Sequence, residues 1–178
     1  MYHLFNLNFE AEDHIFTDDQ HNSVQILHNR LYSVATMHVN YTTYDVCREQ
    51  DIVNPHTYNN VMVLSYETKH GHHPYWFAHV LQVFRAHVCH CGAESHNLLV
   101  QPMEILWVHW YEIVPGHHYR STCTRLLKIS FVPDSDLAAF GFLDPSLVIR
   151  GCHLIPVFSD GHSSNLLRVG HSLGRCYA

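Results

Sequence analysis

Apolar residues along this chain gather in short runs rather than in long helical stripes. Seven prolines (Pro55, Pro74, Pro102, Pro115, Pro133, Pro145 and Pro156) separate those runs at spacings that suit strands joined by loops. Branched and aromatic side chains concentrate in 33–44, 61–64, 76–88, 103–110, 126–132 and 153–158, which are the predicted strands of a mainly β, β-rich α+β fold. The run 76–88 fits two templates. Trp76, Val80, Val83, Phe84 and His87 make a helical stripe, while Trp76, Ala78, Val80, Phe84, Ala86 and Val88 make an alternating strand, and periodicity leaves both open. In 103–110, bulky apolar groups fall on both faces, as in a central strand covered on both sides. Between these two runs, 87–99 is polar and contains Gly92, which predicts a long hairpin loop. Asp144 followed by Pro145 is an N-cap with proline at the first helical position; it predicts a helical turn before the last strand, with Gly151 where that helix would end.

Length and composition add a domain organisation. With 178 residues, 47% of them hydrophobic, one core is expected, over 24–160, between an acidic extension at 1–23 with no core role and a flexible tail at 161–178. No apolar run reaches the roughly 20 residues needed to cross a bilayer, and the first residues lack a basic and then apolar leader. An intracellular, reducing compartment with free thiols is therefore expected for the six cysteines. The net charge of −6 argues against a phosphate-neutralising surface. Protonating all 19 histidines would carry it to +13, so DNA binding is retained only as a pH-dependent alternative.

Several blocks resemble, in order, the C-terminal region of proteins encoded by Plavaka-type, CACTA-like transposons of mushroom-forming fungi. These are His38-Val39-Asn40-Tyr41-Thr42-Thr43-Tyr44-Asp45-Val46, Asn54-Pro55, Val61-Met62-Val63-Leu64-Ser65, Pro74-Tyr75-Trp76-Phe77-Ala78-His79-Val80, Met103-Glu104-Ile105-Leu106-Trp107-Val108-His109-Trp110 and the stretch from Phe140 to Pro156. The resemblance implies an accessory SH3-like or bromo-adjacent-homology-like β-barrel with short helical turns, in which recombinase chemistry lies elsewhere. It implies a non-catalytic module binding protein or nucleoprotein, nuclear when functional. His79, His109, His56 and Cys47 stand where such proteins more often carry arginine, a direction expected from decay of CG-containing arginine codons in a silenced, truncated element.

Three sets of residues could carry chemistry. His87, Cys89, His90, Cys91 and His96, with His70, His72 and His73 just before, offer more thiol and imidazole than tetrahedral zinc requires, which makes a metal-binding protein or metal-dependent enzyme the alternative function. The single-residue spacer between Cys89 and Cys91 is expected to turn the thiols to opposite sides of an extended chain, which favours a solvated loop without cofactor. Tyr41, Tyr44, Tyr75, Trp76, Trp107 and Trp110 could frame an aromatic cage for a peptide or methylated lysine, or fill a core. Asp134-Ser135-Asp136 after Pro133 reads as an acidic turn. The usual motifs for nucleotide hydrolysis, dinucleotide redox chemistry, zinc proteolysis, deamination and serine or cysteine nucleophiles do not occur.

Overall fold

A computed structural model describes residues 17–65, 73–92, 99–115, 126–157 and 176–177. The order is α1 (Asp18–Asn22), β1 (Val24–Val34), β2 (Met37–Thr42), β3 (Arg48–Val53), β4 (Asn60–Leu64), β5 (Tyr75–His90), β6 (Gln101–Ile113), β7 (Lys128–Phe131), β8 (Phe140–Leu143), a 3-10 turn (Pro145–Leu147), β9 (Val148–Gly151), β10 (Ile155–Pro156) and β11 (Cys176–Tyr177). The chain is mainly β. No helix among the described residues is long and apolar enough to cross a membrane.

β2 and β3 form an antiparallel hairpin, while the remaining strands follow the order β10-β11-β7-β6-β5-β4-β9, with β1 beside β5 and β8 beside β6. The end strands β10 and β9 are not paired with each other, so among the described residues the sheet stays open and the expected barrel closure is not formed. The ambiguous run becomes a strand, β5, which extends through His90 and so takes in the first part of the expected loop. The predicted strand 33–44 is two strands, because the chain bends at Ala35 and Thr36 and β2 pairs with β3. The predicted strand 153–158 is reduced to Ile155–Pro156. The expected turn is present: Pro145 occupies its first position and the Asp144 carboxylate accepts from Ser146 N–H at 2.8 Å. That turn stops at Leu147, and Gly151 belongs to β9, whose residues pair with β4.

Among the described residues there are two compact units, one formed by those up to Ser33 with those of Phe84–Ile105, the other by those of Val34–Val83 with those from Leu106 onward. In the first, β1 borders the second half of β5, and Ser23 O accepts from Cys91 N–H at 2.8 Å. Ala86, Val88 and His90 are buried, alternating with Arg85, His87 and Cys89 on the opposite, more open face. His28 and Asn29 interrupt β1 with φ of 55° and 51°, values that asparagine and histidine tolerate better than most residues.

In the second unit, the pleat of β6 separates two clusters. Leu106 and Val108 pack with Val53, Val61, Ala78 and Val80 on one face. Tyr111 and Ile113 pack with Phe77, Leu127 and Ile129 on the other. Each fully buried branched side chain contributes about 1.5–3 kcal/mol of transfer free energy, so these two faces fix the register of β6 against slipping by one residue.

Candidate functional site

The start of β5 and the end of β6, together with His73, frame a groove of about 210 Å³ lined by His73, Tyr75, Trp76, Phe77, Tyr111, Glu112 and Ile113. Antiparallel neighbours joined through 91–100 necessarily bring the first residues of one strand beside the last of the other. The aromatic walls are anchored from below: Tyr75, Tyr111 and Ile113 pack on the Phe77, Leu127 and Ile129 cluster. His73 folds back on Tyr75, its Nδ1 accepting from Tyr75 N–H at 3.2 Å, and its ring lies 5.7 Å from that of Phe77. Glu112 is exposed, and its Oε1 accepts from Ser130 Oγ at 3.4 Å, the long end of a hydrogen bond. Along their strands Tyr75, Phe77 and Tyr111 share the face of the second cluster, while Trp76, edge-on to Trp110, and Glu112 alternate to the other, so the groove lies at the strand ends and draws its lining from both faces.

Beneath it runs a stack of rings. Phe140, His109, Phe131 and Tyr111 lie face to face in that order at 4.3, 4.5 and 4.5 Å between centroids. The register explains the stack, because His109 pairs with Phe140 across β6 and β8, and Tyr111 pairs with Phe131 across β6 and β7. His109 is 1% exposed; its Nε2 donates to Val132 O at 2.8 Å and, among the described residues, its Nδ1 has no hydrogen-bond partner. His79 meets Phe131 edge-on at 5.7 Å. Burial, and then the neighbouring His109, lower the pKa of His79 from 6.5 to about 4, so its ring is neutral near pH 7. Asn60 Oδ1 accepts at 3.0 Å from both His79 Nδ1–H and the Tyr111 hydroxyl, which fixes the His79 tautomer and ties Tyr111 to β4.

The six aromatic candidates do not converge. Tyr75 and Trp76 line the groove. Trp110 stands edge-on to Trp76 at 6.0 Å but packs on the valine-rich cluster, over Gly141, where an added Cβ would lie 3.0 Å from the indole nitrogen. Trp107 tilts toward Phe140 at 6.5 Å. Tyr41 already carries a cation, the Arg150 guanidinium 3.8 Å above its ring, and its hydroxyl donates to Glu49 at 2.7 Å. Tyr44 is fully exposed at the β2–β3 tip. Sequence reasoning missed Phe77, Tyr111, Glu112 and Ile113 as groove residues. The available signal was the hairpin itself, which sets the beginning of one predicted strand beside the end of the next.

The histidine and cysteine set is divided by the strand that carries it. His87, Cys89 and Cys91 follow one side of β5, where the His87 ring meets Tyr32 edge-on at 5.7 Å, while His90 is buried on the other. The expectation that Cys89 and Cys91 point apart is overturned: residues two apart in a strand share a face, and the two Sγ atoms lie 3.4 Å from each other. His70, His72 and His96 fall outside the described residues. Among the described residues no three histidine, cysteine or acidic side chains are grouped to hold a metal ion. Asp134-Ser135-Asp136 is a turn, with Asp136 N–H donating to Pro133 O at 2.8 Å and the Asp136 carboxylate accepting from Ala138 N–H at 2.9 Å. Comparison with protein-family models, curated proteins and solved structures returns no match.

Proposed function

We propose that this chain is a non-catalytic interaction module of a transposon-derived protein, and that it holds a lysine side chain of a protein partner in the groove between β5 and β6. The observation that carries this reading is that Tyr75, Trp76, Phe77, Tyr111 and the acidic Glu112 line one groove. An ammonium group within about 6 Å of aromatic faces is attracted by the ring quadrupoles, by about 0.5–2 kcal/mol depending on desolvation. A carboxylate at the rim supplies the countercharge and raises the rate of encounter.

Size argues in the same direction. At about 210 Å³ the groove is smaller than the ~300–1,000 Å³ typical of small-molecule sites, and suits a single side chain presented by an extended segment. The net charge of −6 favours a basic partner over nucleic acid. Support for the transposon-derived part comes from the ordered sequence blocks that resemble such proteins, which include Tyr75, Trp76 and Phe77 of the groove itself.

The test is calorimetric titration with lysine-containing peptides, unmethylated and trimethylated, each beside its lysine-to-alanine control. Trp76→Ala and Glu112→Gln are expected to weaken binding roughly tenfold each, the loss of about 1.4 kcal/mol, while Trp107→Ala leaves it unchanged. Equal affinity for the lysine and alanine peptides would overturn the reading.

A further inference from the structure

We propose that Cys89 and Cys91 form a reversible dithiol–disulfide pair, a redox site in the first unit that takes small-molecule disulfides as its oxidant. Four observations place the chemistry there. The two Sγ atoms are 3.4 Å apart, already in contact, and both cysteines are in the free thiol form. Cys91 is exposed and Cys89 half-buried, so an incoming disulfide reaches Cys91 first. Their shared face of β5 is open, whereas the opposite face buries Ala86, Val88 and His90. The backbone at the second thiol is fixed: Cys91 N–H donates to Ser23 O at 2.8 Å, and Gly92 passes so near His90 that an added Cβ would sit 2.9 Å from its Nε2.

The reaction has two exchange steps. The Cys91 thiolate attacks one sulfur of oxidised glutathione, forming a mixed disulfide and expelling one glutathione thiolate. Cys89 then releases its proton to solvent and attacks Cys91 Sγ, forming the Cys89–Cys91 bond and expelling the second glutathione thiolate. Two protein thiols are oxidised and one glutathione disulfide is reduced to two thiols. Their order follows from the pair. The hydrogen bond with Cys91, then burial, then the charge of Cys91 hold the Cys89 thiol above its ordinary pKa, and capping Cys91 as a mixed disulfide removes the charge contribution. A ring closed across a single intervening residue is strained, which makes such a disulfide readily reduced again by excess thiol.

Cys47 and Cys152 are internal comparators. Cys47 is exposed, so it can take glutathione and reports that the oxidant has acted. Burial pushes the Cys152 thiol up to about 12, which keeps it unreactive near neutral pH. The folded full chain is exposed to oxidised glutathione, quenched with acid, alkylated and analysed by peptide mass spectrometry. The expected result is a peptide spanning residues 89–91 that has lost two hydrogens and carries no glutathione, once Cys47 has reacted. Excess reduced glutathione restores both free thiols. In Cys89→Ser the adduct persists on Cys91 at about ten times the wild-type level, because the intramolecular second step is gone. Two results would overturn the proposal: a wild-type Cys91 adduct as persistent as that of Cys89→Ser, or unmodified Cys89 and Cys91 when Cys47 has reacted.

Discussion

Val46 is where the chain departs most from its own local preferences. The β2–β3 connection closes with Val46 N–H to Thr43 O at 3.0 Å and Thr43 N–H to Cys47 O at 2.8 Å, a type I turn followed by a residue in the left-handed region. That residue is Val46, with φ of 64°, a backbone state costing a β-branched side chain about 1–2 kcal/mol. Its side chain is 80% exposed and contributes little packing to offset the cost. Val46→Gly is expected to stabilise the chain by about 0.5–1 kcal/mol in urea melts, after allowing for the greater freedom of glycine when unfolded. His79 presents the converse case of a titratable group. Its folded pKa of about 4 lies below the ordinary 6.5, so between those values the unfolded chain binds the proton that the folded chain does not. Stability therefore falls as pH drops from about 6.5 to 4, with His79 accounting for on the order of 2–3 kcal/mol of that fall. Urea melts across this range should show a loss smaller by that amount in His79→Leu. An unchanged pH profile would contradict the assignment.

Among the elements, β3 was the hardest to read and has a structural task. Arg48–Val53 is mostly polar and exposed, and only Val53 is buried, so it lacks the apolar signal of a strand. Asp51 within it accepts from Gly151 N–H at 3.0 Å and from Arg150 Nε at 3.3 Å, bonding the β2–β3 hairpin to β9. Asp51→Ala is expected to cost about 1–2 kcal/mol in urea melts, since it unpairs a backbone donor and leaves Arg150 without its carboxylate. The strands that patterning did find, β4, β5, β6 and β7, carry branched and aromatic residues into the two clusters of the second unit, where burial forces the pattern. β8 escaped notice because its four residues include Gly141, placed there for the Trp110 indole and not for strand propensity. Of the seven residues that line the groove, Tyr75 and Trp76 were among the aromatic candidates of the sequence. Tyr111 and Glu112 were not, because nothing local distinguishes a groove-lining residue from any other at a strand end. The Cys89–Cys91 contact was within reach of the two-residue strand period once His87–His90 is assigned to β5 in place of a loop.

For the molecule as a whole, the proposed recognition of a basic protein segment rests on an acidic balance and a side-chain-sized groove lined by aromatic residues. The three tryptophans provide the most direct test, because Trp76 lines the groove, Trp110 stands against Trp76, and Trp107 lies against Phe140. The measurement is nitrogen-15 NMR of the three indole N–H groups, assigned by substitution, during titration with a trimethyllysine peptide and its alanine control. Binding in the groove predicts a saturable shift of the Trp76 indole, a smaller one at Trp110, and none at Trp107, with no response to the alanine peptide. A Trp76 resonance that stays in place while the peptide binds, or a shift centred on Trp107, would contradict the account.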